Sequence, residues 1–130
     1  MGTVDPKGRG AVLVVDDDEG LRAELRSTLE ADGYFVVEAR NGKEALDVLH
    51  SVAGAAVRLM VLDLVMPCMS GWEAVDLLRL DPGLSHLPVL VTSGTPVHGD
   101  ASGIGATMHW LRKPFDVRQL GREVARLTAH

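Results

Sequence analysis

Four separated fragments of this chain carry residues able to do chemistry together. Asp16 and Asp17 close the run Val-Val-Asp-Asp, Asp63 follows an apolar run and precedes Met66-Pro67, Ser93 ends another apolar run, and Lys113 precedes Pro114. The three aspartates can hold a hard divalent cation through oxygen, the serine hydroxyl can donate a hydrogen bond, and the lysine adds a movable positive charge. That set suits a phosphate group. The fragments are spaced by 46, 30 and 20 residues from Asp17 through Asp63 and Ser93 to Lys113, an order and placement hard to produce by chance.

Three carboxylates meeting at strand ends repel one another unless a cation lies between them. Mg²⁺ prefers octahedral oxygen coordination and retains waters, so the expected direct ligands are Asp17, Asp63 and the Val65 carbonyl, with Asp16 acting mainly through water. Asp63 is also a candidate nucleophile toward phosphorus, since a carboxylate forms an acyl phosphate when the incoming charge is neutralised. Lys113, the Ser93 hydroxyl and backbone N–H groups of the Val65–Met66 turn are the expected partners of that charge. The plainer reading of an acidic strand end is a solvated loop, and Asp18 and Glu19 are read that way or as helix-dipole partners.

The elements that must position these residues follow from the apolar pattern. Runs at Ala11–Val15, Tyr34–Val37, Leu59–Leu62, Val89–Val91 and, more weakly, Met108–Leu111 are mostly continuous, as in a parallel sheet covered on both faces. Leu21, Leu25 and Leu29 form a helical stripe closed by Gly33. Asn41 with Glu44 resembles a capping box for a helix carrying Ala45, Leu46, Leu49 and Val52 and ended by Gly54. Trp72, Val75 and Leu78 mark a third helix, and Asp116 caps a last one whose core face is Val117, Leu120, Val124 and Leu127. Pro96, Gly99, Gly103 and Gly105 predict a short or distorted fourth helix within Thr95–Gly105. The pattern is a βα unit repeated five times, a doubly wound α/β fold, whose ligand crevice lies outside the carboxyl ends of the strands.

The segments VLVVDDDE, VLDLVMPCMSG, LPVLVTSG and WLRKPF closely resemble the signature segments of two-component response regulator receiver domains, and the resemblance covers nearly the whole chain after Gly10. It implies a flavodoxin-like (βα)5 sandwich with a five-stranded parallel sheet of order 2-1-3-4-5. It implies Asp63 as phosphoacceptor, Asp16 and Asp17 as the acidic metal pair, Ser93 as the switch hydroxyl, Lys113 as the phosphate-contacting lysine and Trp110 as the aromatic switch position. The donor it implies is a phosphohistidine on a sensor histidine kinase or histidine phosphotransfer protein. Thr92 competes with Ser93, but Ser93 stands at the strand end before small Gly94, and alternation turns Thr92 away. A cis peptide is expected at Lys113–Pro114.

Composition narrows the function classes. A chain of 130 residues with a net charge of -5 is long enough for one cored domain and carries no basic footprint for nucleic acid. The expected organisation is a flexible leader at 1–10 and a receiver domain at 11–130. One cysteine, Cys68, forms no internal disulfide and reads as a spacer, and Met1–Gly10 has no apolar signal core. The longest apolar runs fall well short of the ~20 residues of a membrane span. Pro6 stands where a myristoylation motif wants Ser or Thr. A cytoplasmic location and a monomer or weak dimer are therefore expected.

Several finer expectations follow. Ser93 drawn toward a phosphorylated Asp63 vacates space for Trp110 and alters the surface built from the fourth helix, the fifth strand and the fifth helix. Arg118, Arg122 and Arg126 make a basic stripe on the last helix, by default a solvated face and alternatively a surface for a carboxylate-rich partner. His50, His86, His98, His109 and His130 lack metal-ligand spacing, and none is expected to pair with an acid. Apolar Val65 cannot orient an attacking water, so self-dephosphorylation should be slow. It also stands where an aspartate-nucleophile phosphohydrolase would need its acid/base aspartate, which weighs against an enzyme. The chain would catalyse only its own phosphoryl acceptance and slow loss. The alternative is a degenerate receiver, a protein-interaction module that is never phosphorylated.

Overall fold

The computed structural model describes residues 9–51, 56–63, 71–94 and 108–129, with the side chains at 71, 72, 74 and 75 left aside. In chain order the elements are β1 (Ala11–Val15), α1 (Glu19–Ala31), β2 (Phe35–Ala39), α2 (Gly42–Leu49), β3 (Val57–Asp63), α3 (Gly71–Leu80), β4 (Val89–Ser93), β5 (Met108–Arg112) and α4 (Val117–Thr128). The strands form one parallel sheet in the order β2-β1-β3-β4-β5. The order in which strands are added to the sheet reverses between β1 and β3, which opens the crevice at the carboxyl edge.

Strand alternation divides the core into two layers. Val12, Val14, Leu59, Val61 and Leu90 point to one face and pack with Leu25 and Leu29 of α1 and Leu120, Val124 and Leu127 of α4. Leu13, Val15, Met60, Leu62, Val89 and Val91 point to the other and meet Ala45 and Leu49 of α2 and Leu78 of α3. The central strands β1 and β4 are buried along their whole length, which is why their sequences read as continuous apolar runs. At the sheet edges β2 and β5 mix buried and exposed positions, so their runs are weaker and β2 begins one residue later than the apolar pattern predicts. Tyr34, left outside β2, packs in the core and shares a 2.7 Å hydrogen bond between its hydroxyl and Thr128 Oγ1, tying the start of β2 to the end of α4.

The helix ends carry the main departures. Asp18 is exposed, as expected, and is also the N-cap of α1, its carboxylate accepting the Leu21 N–H at 3.1 Å. Gly33 closes the same helix at φ 100°, a conformation side-chain-bearing residues rarely adopt. Asn41 caps α2 by accepting the Glu44 N–H at 2.9 Å, but Glu44 reaches back to the Arg40 N–H rather than to Asn41 itself. That helix stops at Leu49 with His50 as C-cap, earlier than the expected stop at Gly54. The His50 ring is held at 2.8 Å by Asp81 after α3, which corrects the expectation that no histidine pairs with an acid. Asp116 caps α4 as predicted, accepting the Arg118 N–H at 2.8 Å.

Val52, Gly54, the predicted fourth helix within Thr95–Gly105, Val65, Met66, Cys68, His98, His130 and most of the 1–10 leader lie outside the described residues. Among the described residues no helix is long and apolar enough to cross a membrane.

Candidate functional site

Register brings the acidic residues together. Val15 pairs with Leu62, so the next residues along the two strands, Asp16 and Asp63, stand side by side at the carboxyl edge. Asp16 and Asp63 are buried, 3% and 6% exposed, while Asp17 is open to solvent. Oxygens of Asp16, Asp17 and Asp63 all lie within 4.8 Å of one another. Lys113, just after β5, sets its Nζ 3.3 Å from Asp63 Oδ1 and 3.9 Å from Asp16 Oδ2. Its main chain is anchored by the Lys113 N–H donating to the Ser93 carbonyl at 2.7 Å, and the Lys113–Pro114 peptide is cis, as expected.

The electrostatics of the cluster are unfavourable for bare carboxylates. Burial pushes the Asp16 carboxyl above its ordinary pKa, and the charges of Asp63 and Asp17 push the same way. The Asp18 N–H, which donates to Asp16 Oδ1 at 2.9 Å, and Lys113 oppose the rise without cancelling it. Among the described residues, one ammonium against three carboxylates leaves excess negative charge in an oxygen-only donor set open to solvent at Asp17. Those properties fit a hard divalent cation held by Asp16, Asp17 and Asp63. Val65, expected to add a carbonyl, lies outside the described residues.

The switch candidates sit where alternation puts them. Ser93 is the last residue of β4 and is 4% exposed; Thr92, its neighbour, pairs with Asp63 across the ladder and is equally buried. The two hydroxyls leave the strand on opposite faces. Trp110 on β5 is level with Val91 and packs against the core layer that holds Val89 and Val91, the face to which Ser93 also belongs. Among the described residues, no atom lies within 4 Å of a Cβ built on Gly94. Arg118, Arg122 and Arg126 are exposed on α4, and Arg126 is engaged by Glu123 at 2.6 Å.

Sequence reasoning passed over Arg22. This α1 residue is 7% exposed, and its Nη1 donates to the Asp16 carbonyl at 2.6 Å while its Nε meets Glu38 Oε1 at 3.1 Å. The available signal was its spacing of three from Leu25, which places it toward the buried face of the helix.

This strand order, with an acidic cluster and a lysine at its carboxyl edge, defines a flavodoxin-like domain of the response-regulator type. A sequence profile of the response regulator receiver domain matches residues 12–125, and the chain belongs to that family. It is 40% identical over 111 residues to the response regulator MprA of Mycolicibacterium vanbaalenii, an alignment covering 84% of this chain and 46% of MprA, so the chain spans about half the length of that relative. It is 32% identical over 109 residues to the polar-differentiation response regulator DivK of Brucella anthropi, covering 82% of this chain and 86% of DivK. The chemotaxis response regulator CheY4 of Vibrio cholerae superposes with a TM-score of 0.80 at 30% identity, over 91% of this chain and 98% of that one.

Proposed function

We propose that this domain accepts a phosphoryl group on Asp63 from a phosphohistidine of a sensor histidine kinase or histidine phosphotransfer protein, and that the modified form changes its affinity for a downstream protein. An Asp63 carboxylate oxygen attacks phosphorus, the P–N bond to the histidine breaks, and the electron pair leaves with the imidazole, which takes up a proton. Mg²⁺, when bound by Asp16, Asp17 and Asp63, supplies the positive charge that offsets these carboxylates and the phosphoryl oxygens. Lys113 lies within reach to pair with a phosphoryl oxygen once its contact to Asp63 is exchanged. Ser93 donates its hydroxyl proton to another oxygen. The observation that carries this reading is the convergence of three carboxylates within 4.8 Å with Lys113 Nζ 3.3 Å from Asp63.

Output follows from charge. A phosphoryl group adds roughly two negative charges at the strand end, drawing Ser93 and Lys113 inward. Trp110 shares the sheet face of Ser93 and is the group placed to respond, with β5 and α4 as the altered surface. The signalling setting is cytoplasmic, where kinase and nucleotide meet. The test is transfer from a purified phosphohistidine-bearing domain: label should appear on the wild type in Mg²⁺ and be lost with Asp63→Asn or with EDTA. Equal labelling of Asp63→Asn would refute the assignment. No labelling from any donor would favour the phosphorylation-independent module.

A further inference from the structure

Arg22 is a buried cation that the phosphoryl chemistry does not use. Burying a guanidinium is costly unless its donors are matched, and here each matched donor has a definite target. Nη1 gives a short, charge-assisted bond of 2.6 Å to the carbonyl of Asp16. Nε pairs with Glu38 Oε1 on β2 at 3.1 Å, and the other Glu38 oxygen is held by Arg26 Nη1 at 2.8 Å. Glu38 thus orients Arg22 from one strand away, and Arg26 orients Glu38.

The carbonyl Arg22 holds belongs to the peptide unit joining Asp16 to Asp17. Because that unit is planar, fixing its oxygen also fixes the direction of the Asp17 N–H and Cα. The remaining groups of the turn are restrained in the same way: the Asp16 N–H donates to the Ala39 carbonyl at 3.2 Å, the Asp18 N–H to Asp16 Oδ1, and the Arg22 N–H to the Asp18 carbonyl at 3.0 Å. Arg22 therefore clamps the acidic turn through both its main chain and its side chain. Left alone, two adjacent carboxylates facing a third would swing apart under their own repulsion, and a cation would have to gather them.

We propose that Arg22, oriented by Glu38, is a positioning residue for the divalent-cation site: it holds the Asp16–Asp17 peptide so that both carboxylates face Asp63 before the cation binds. The idea rests on the reading of this cluster as a Mg²⁺ site, and it assigns Arg22 no contact with the ion or the phosphoryl group. Outer partners that orient ligands typically change metal affinity by about 10–100-fold when removed.

The test is calorimetric titration of metal-free protein with MgCl₂, paired with thermal unfolding in EDTA, for wild type, Arg22→Met, Arg22→Lys and Glu38→Ala. Arg22→Met should weaken Mg²⁺ binding roughly ten-fold in protein that remains folded. Arg22→Lys should not restore it, because one ammonium lacks the fork that serves Asp16 and Glu38 together. Glu38→Ala should weaken binding in the same direction, and less. A purely structural role predicts lower melting temperatures with Mg²⁺ affinity within about two-fold of wild type in every folded variant, and that result would overturn the proposal. Should Arg22→Met fail to fold, the same comparison is decided by Arg22→Lys and Glu38→Ala. A wild type that binds no Mg²⁺ would overturn the metal-site reading and this proposal together, whereas normal wild-type binding with unaltered variants overturns this proposal alone.

Discussion

Asp16 bears much of the cost of the acidic cluster, since it is the buried carboxylate whose pKa is raised, first by burial and then by Asp63 and Asp17. A carboxyl raised in the folded state contributes stability that is complete below its unfolded pKa and is lost as pH rises through the folded value. Metal-free protein should therefore lose some stability as pH climbs out of the ordinary carboxylate range. Asp16→Asn should abolish that loss, raise the melting temperature in EDTA by on the order of a few degrees, and weaken Mg²⁺ binding. Melts across pH with and without MgCl₂ check all three, and an Asp16→Asn protein less stable than wild type in EDTA would contradict the electrostatic account. The aspartates and Lys113 were readable as chemistry in the sequence because each closes an apolar run. Arg22 was not, because its partners are created by folding: Glu38 is 16 residues away and the Asp16 carbonyl has no side-chain signal.

Helix α1 connects the core to the site. Its N-cap, Asp18, directly follows Asp16 and Asp17, so the start of the helix and the shape of the acidic turn are set together. Asp18→Ala should cost about 1 kcal/mol in urea unfolding, the usual cost of a lost cap. Leu25, fully packed between α1 and the sheet, should cost about 2–5 kcal/mol as Leu25→Ala. Glu38 tests the tie from α1 to β2: Arg26 and then Arg22 hold its carboxyl below the ordinary range. A depressed carboxyl contributes stability that is present above its unfolded pKa and lost as pH falls through the folded value, so Glu38→Gln should flatten part of the acid limb of the stability curve. Its slope is opposite in sign to that of Asp16. Element identity was legible wherever an apolar run or stripe was long, as in β1 and α1. Element ends were less so, because caps and stops depend on partners distant in sequence. The contact at the end of α2 is the clearest instance, His50 meeting Asp81 from 31 residues away.

At the scale of the molecule, a two-layer core leaves one edge of the sheet for chemistry and puts β5 and α4 next to Lys113. If Mg²⁺ binds the folded state alone, it should stabilise the domain by about 2.7 kcal/mol at a concentration 100-fold above its dissociation constant, and Asp17→Ala should remove most of that gain. Arg118 and Arg122 are the exposed stripe residues outside the Glu123 contact of Arg126. Reversing their charge should weaken a carboxylate-rich downstream partner without altering phosphoryl acceptance. The fold class followed from the alternation of runs and stripes, and the strand order from the resemblance carried by the four fragments. What joins them into one site is the register of β1 on β3 and of β4 on β5, which composition and spacing do not contain.

The most direct test of the central claim is intact mass after incubation with Mg²⁺ and a small acyl-phosphate donor, comparing wild type with Asp63→Asn. The account predicts a gain of one phosphoryl group in the wild type and none in Asp63→Asn. An unchanged wild-type mass, under conditions that label a control receiver, or an equal gain in Asp63→Asn, would contradict it.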